Sequence, residues 1–216
     1  METQINSIEG SWIRVKNACR TTVNKEHTDN IPTSSFKSSL LISEHSPIRL
    51  LKINWIWKNI KSWIATHWSR HKWECFISTQ RTDRTGIDRD NEPQGAFVIF
   101  EGEANAQHLI DTWRKRLCFQ ASPETRKLAE DFKQVLKSTE PKLADVLVPN
   151  CIYRCGCPEF NECGYWSSFV EKYSNNQLIN EFYSKDLLNI KNRYALYNNQ
   201  FYIKNKFDSV FDIMKY

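Results

Sequence analysis

Between Asn105 and Cys118 the apolar residues Ala106, Leu109, Ile110, Trp113 and Leu117 recur at three- and four-residue steps, leaving Gln107, Asp111, Arg114 and Lys115 off the stripe. That period belongs to one face of an α-helix. Just beyond it, Ser122-Pro123-Glu124 supplies a capping hydroxyl, a proline suited to the first helical position and an acid in the first turn. Leu128, Phe132, Val135 and Leu136 then continue as the buried face of a second helix, and a third is predicted from near Pro141 through Leu143, Val146 and Leu147.

Upstream the pattern is mixed. Leu51, Ile53, Trp55 and Trp57 alternate with Lys52 and Asn54, which predicts a half-buried strand, and residues 58–69 return to helical spacing through Ile60, Trp63, Ile64 and Trp68. Residues 11–23 read as a strand leading into a short helix, 24–35 as a polar connection, and 34–47 as a short helix closed by a turn at Pro47. Residues 85–95 form a loop and AFVIF at 96–100 a short strand. A chain of 216 residues supports one main domain, placed at 1–164. From Tyr165 the composition shifts toward Asn, Lys, Tyr and Ile, so 165–216 is read as a C-terminal extension, with FYIKNKF at 201–207 as a hairpin or an amphipathic appendage.

Composition narrows the chemistry. Only six Gly are present, which excludes glycine-rich phosphate cradles, so a phosphate must be held by side chains or helix ends. The net charge of +5 is compatible with an anionic small molecule or a nucleic acid. The N-terminus lacks a basic start and an apolar signal core, no apolar run is long enough to span a bilayer, and a cytoplasmic protein is expected. The seven Cys are an odd number outside a loop-rich framework, so reduced thiols are expected. Cys151, Cys155, Cys157 and Cys163 form C-x3-C-x-C-x5-C in a turn-rich segment. Its two readings are a Cys-containing cap that closes the domain, which leaves the expected metal as none, and a tetrahedral zinc site.

The stretch THWSRHKWECFISTQRTDR at 66–84 gathers Arg70, Arg81, Arg84, Lys72, His67 and His71 beside three large aromatics. Arg matches phosphate through two-pronged contacts and stacks on flat rings, so a mononucleotide or a flavin would use both properties. The residues RHK at 70–72 and STQRTDR at 78–84 resemble the signature of the flavin-dependent thymidylate synthases, in which Arg-His-Arg is followed by spaced Ser, Asn, Glu or Gln, Ser and Arg. Asn105, Arg116 and the run from Ala121 to Arg126 resemble the family's second block, and EHSPIR at 44–49 resembles its upstream His-x-Ser/Thr-Pro stretch. Here Lys72 stands for the third signature residue, two extra residues precede Ser78, and the segment between Arg84 and Asn105 is short.

The resemblance implies an α+β fold of helices on a small sheet, and a homotetramer with shared active sites. It further implies that FAD passes the methylene of methylenetetrahydrofolate to C5 of dUMP, with NADPH as reductant, giving dTMP. By position it assigns Ser46, Arg70, His71, Lys72, Asn105 and Asp111 to the flavin. His67, Arg70, Gln80, Thr82, Arg84 and Arg116 go to dUMP, with Arg116 as the catalytic group. Alternative readings are C5 hydroxymethylation of dUMP on the same fold, a fold relic kept as an oligomeric partner, and a nucleic-acid-binding module. In that module Trp63, Trp68 and Trp73 would stack bases beside a zinc cap.

Overall fold

A computed structural model describes residues 1–174 and 187–213. Its centre is a four-stranded antiparallel sheet of order β1-β2-β4-β3, made of β1 (Glu2–Glu9), β2 (Lys52–Lys61), β3 (Glu74–Ile77) and β4 (Phe97–Asn105). Strand β1 is an edge that no regular alternation announces in the sequence. Its half-buried residues are Thr3, Ile5 and Ile8, and a register shift between Ile5 and Ser7 breaks the alternation that would have betrayed it. The strand expected within 11–23 is instead the capped helix α1 (Trp12–Thr21), whose Ser11 side chain accepts from Arg14 N. Between the two elements Gly10 has φ +83°, and a Cβ there would sit 2.1 Å from the Leu50 carbonyl oxygen, so no larger residue makes this turn.

Strand β2 also runs further than its alternation indicates. Asn59 adopts φ 58° and the register slips between Trp57 and Ile60, so Ile60 faces the core three residues after Trp57. A β-bulge has thus produced a helix-like spacing, and helix α3 starts only at Ser62 and ends at Ser69.

The inner face of the sheet carries Ile53, Trp55, Trp57, Val98, Phe100 and Ala104, all buried. Onto it pack α5 (Ala106–Arg116) through Leu109, Ile110 and Trp113, and α6 (Pro123–Thr139) through Leu128, Phe132 and Leu136. The caps are those the sequence announces: Asn105 accepts from His108 N, and Ser122 from Thr125 N. Gly102 on β4 leaves room for the Trp55 ring, since a Cβ there would meet it at 2.4 Å. Smaller helices complete the layer: α2 (Ser34–Ile42), a 3-10 turn (Ser46–Leu50), α4 (Thr82–Thr85), α7 (Pro141–Val146) and α8 (Asn150–Arg154).

Two further helices, α9 (Tyr165–Ser174) and α10 (Ile190–Ile213), belong to the stretch expected as an extension. Phe169, Leu187, Tyr194, Tyr197 and Phe201 join the same hydrophobic core, so FYIKNKF is helix and not hairpin. Polar clamps fix the junction. Buried Arg193 donates to the carbonyls of Ile152, Tyr153, Leu187 and Leu188. Fully buried Lys133 donates to Ala144 O (2.7 Å), Leu147 O (2.9 Å) and Asn198 Oδ1 (2.7 Å). Residues 175–186 and 214–216 of the expected extension lie outside the described residues. Among the described residues no helix is long and apolar enough to cross a membrane.

Candidate functional site

Two tryptophans bracket the basic triplet. Trp68, in the last turn of α3, is fully buried, and Trp73 opens the approach to β3 stacked on it with ring centroids 5.7 Å apart. The chain between these anchors turns outward and lifts Arg70, His71 and Lys72 over α5. There a groove of about 320 Å³ is lined by Arg70, His71, Lys72, His108, Asp111, Thr112 and Lys115, a size at the small end of ligand pockets.

Arg116, at the C-terminal end of α5, joins the two segments. Its Nε donates to His71 Nε2 at 2.7 Å, a terminal nitrogen donates to His67 O at 3.1 Å, and its guanidinium lies 5.7 Å from the Trp68 ring centre. Burial and the charge of Arg70 pull its pKa down, yet a guanidinium remains protonated in proteins. Among the described residues no carboxylate forms an ion pair with Arg70, Lys72, Lys115 or Arg116. The positive charge is therefore available to an anion.

His71 is pushed down to about 4, first by burial and then by the charges of Arg116 and Lys115. It is neutral at pH 7, and because Arg116 can only donate, the ring proton resides on Nδ1. Asp111, the one carboxylate in the groove lining, accepts from Gln107 Nε2 (3.1 Å) and Arg114 NH1 (3.3 Å). Arg114, off the apolar stripe, is nonetheless buried. It pairs with Glu44 and stacks on Tyr153 with 3.5 Å to the ring centre. Glu44 also accepts from Gln107, tying the EHSPIR segment to α5.

Of the residues singled out in the sequence, His67, Arg70, His71, Lys72, Asp111 and Arg116 meet in or beside this groove. Asn105 is the N-cap of α5, its side-chain oxygen occupied by His108 N. Ser46 is exposed at the start of the 3-10 turn, which leads to Leu51, whose carbonyl accepts from Ala106 N. Gln80, Thr82 and Arg84 follow β3, whose first residue, Glu74, is the end nearer the triplet, so they lie beyond the strand's other end. Thr82 and Arg84 are exposed on α4.

His108, Thr112 and Lys115 line the groove although no sequence motif marks them. With Asp111 they recur at three- and four-residue steps, a polar stripe on α5 as legible as the apolar one. The nucleic-acid reading loses two of its three stacking rings, because Trp68 is buried and Trp73 packs edge-on against Trp55 at 5.1 Å, while Trp63 is half-buried with its ring edge-on to His67. The cysteine set changes too. Cys155 turns away, its Sγ donating to Leu187 O at 3.4 Å, while Cys118 joins Cys151, Cys157 and Cys163 around a small cavity.

No family model matches the sequence, and no curated protein is similar to it in sequence. Solved structures do match. The flavin-dependent thymidylate synthase ThyX from Helicobacter pylori, complexed with FAD and dUMP, superposes with a TM-score of 0.56 at 15% identity, over 66% of this chain and 97% of that one. The fold is that of the flavin-dependent thymidylate synthases. The UMP/dUMP methylase PolB from Streptomyces cacaoi, bound with 5-Br dUMP, is similar in the same way, with a TM-score of 0.55 at 13% identity over 67% of this chain and 93% of that one. The fold of the flavin-dependent thymidylate synthases is therefore present here with a sequence in which few residues coincide.

Proposed function

We propose that this chain is a flavin-dependent, dUMP-modifying enzyme that transfers a one-carbon unit from methylenetetrahydrofolate to C5 of the uracil, with NADPH as reductant. The observation that carries the reading is the 2.7 Å bond from Arg116 to His71. It joins the two sequence segments that resemble the family's signatures, at the edge of a groove whose cations have no carboxylate partners among the described residues.

The residues present fit an anionic nucleotide. Arg70, Lys72, Lys115 and His108 surround the groove, and Arg116 uses two of its five N–H donors within the chain, leaving three for a ligand. In the proposal Arg70, His71, Lys72, Asp111, Ser46 and the amide NH2 of Asn105 hold FAD. Bound there, the flavin supplies the carbon-transfer and electron chemistry, and the chain supplies position and charge.

His67, Arg70 and Arg116 contact dUMP. Arg116 cannot act as a base; it stabilises the negative charge that develops as the uracil loses its N3 proton or gains electron density at C5. Neutral His71, accepting from Arg116 Nε, sets the plane of the guanidinium. Because the groove is small for a whole dinucleotide, and Gln80, Thr82 and Arg84 lie beyond the far end of β3, the proposal has each site completed by a second copy of the chain in a homotetramer. Exposed Phe76, Phe97 and Ile99 give the sheet an apolar edge region suited to such contacts.

The test is the absorbance spectrum of the purified protein with and without added FAD and dUMP. Flavin bands that shift on adding dUMP are expected. Arg116→Ala should keep the bands while losing both the dUMP-induced shift and turnover. A protein that stays colourless after reconstitution with FAD, or an Arg116→Ala variant that converts dUMP at the normal rate, ends the reading.

A further inference from the structure

Cys118, Cys151, Cys157 and Cys163 line one small cavity, with Tyr165 and Trp166 on its wall. Its free volume is about 10 Å³, room for a single small atom and for no organic ligand. Three elements bring the thiols there: Cys118 lies two residues past the C-terminal end of α5, Cys151 lies in the first turn of α8, and Cys157 and Cys163 belong to the connection into α9.

That connection lacks an apolar anchor. No residue from 155 to 164 is buried, and Phe160 is fully exposed. A loop so poorly packed is costly to order, yet it is closed onto the α5–α6 turn, where Gln120 Nε2 donates to Asn161 O at 2.7 Å. All seven cysteines are free thiols. Cys155, at the start of the loop, faces Leu187 instead of the cavity.

We propose that Cys118, Cys151, Cys157 and Cys163 bind one structural zinc ion that pins the 155–164 loop between α5, α8 and α9. Zinc takes four thiolates in a tetrahedron with Zn–S distances of about 2.3 Å. Among the described residues no three His, Cys, Asp or Glu side chains already stand in a metal-holding arrangement. Zinc binding therefore requires the four side chains, which already line one cavity, to turn toward a common point. Binding forms four Zn–S bonds and releases the thiol protons to solvent, with no change of oxidation state. The ligand set differs from the C-x3-C-x-C-x5-C spacing by exchanging Cys155 for the distant Cys118, and it shares no residue with the basic groove. The zinc and flavin readings therefore stand or fall separately.

The full chain, purified without chelator from zinc-supplemented medium, is expected to carry about one zinc per chain by plasma mass spectrometry. Co²⁺ exchanged into it should show thiolate-to-metal charge-transfer and tetrahedral d–d bands. Cys118→Ser and Cys163→Ser should lower zinc content about tenfold or more, while Cys155→Ser keeps it. Cys163 is exposed, so its variants are expected to fold, and Cys163→His should retain the metal with a changed cobalt spectrum. The proposal is overturned if the wild-type chain, refolded with excess zinc, holds none, or if Cys155→Ser loses zinc as Cys118→Ser does. Disulfides among the four thiols in freshly isolated protein would overturn it equally.

Discussion

An acid titration of stability tests the contact on which the groove depends. His71 has its pKa lowered to about 4 by burial and by Arg116 and Lys115, while the unfolded chain exposes an ordinary imidazole near 6.5. The folded value is depressed, so the contribution is fully present above pH 6.5. It is lost as pH falls toward 4, because across that window the unfolded state takes up a proton that the folded state refuses. For an enclosed ring the gap corresponds to roughly 3 kcal/mol, and solvent screening of this partly exposed one reduces that to about 1–2 kcal/mol. Urea denaturation of the wild type and of His71→Gln at stepwise pH between 7 and 4 reads the difference directly. Gln keeps an acceptor for Arg116 Nε and does not titrate, so the wild type should lose about 1–2 kcal/mol relative to the variant over that range. NMR of the ring nitrogens should independently place the proton on Nδ1 at neutral pH. An imidazole that titrates near 6.5, or two parallel stability profiles, would mean that Arg116 does not lean on His71 and that the two basic segments are not joined as described.

Two further substitutions test the scaffold. Lys133→Met strips three donors from Ala144 O, Leu147 O and Asn198 Oδ1, and a loss of about 3–5 kcal/mol in urea unfolding is expected; a variant as stable as wild type would show that the ammonium is not what holds α10 down. Gly102→Ala drives a methyl to 2.4 Å from the Trp55 ring, and should cost about 1–3 kcal/mol and alter the near-ultraviolet circular dichroism of the tryptophans; an unchanged spectrum would contradict the packing.

The helices of the second half were readable because their signals are local. A stripe such as Ala106, Leu109, Ile110, Trp113 and a cap such as Ser122 act within one or two turns, and both appear where the sequence puts them. Signals that depend on a partner were not readable. Arg114 falls off the apolar stripe, yet a carboxylate seventy residues upstream and the ring of Tyr153 bury it. Trp68 and Trp73 share one basic stretch, but only packing separates the fully buried Trp68 from the half-buried Trp73. Strand β3 is four residues long and β1 carries a register shift, so neither offers enough alternation to recognise. The pairing of Arg116 with His71 is a tertiary event; only the family resemblance hinted that residues 45 apart would meet.

The indole rings of Trp55, Trp57, Trp68, Trp73 and Trp113 form a continuous raft under the groove, with neighbouring centroids between 4.7 and 6.2 Å apart. Excitation energy passes readily between rings at such spacings. His71 rests against two of its members, with its ring centre 5.8 Å from Trp68 and 5.1 Å from Trp73. An imidazolium there, or a chromophore absorbing near 350 nm above it, would dim the protein's own ultraviolet glow, so events in the groove can be followed without attaching a dye.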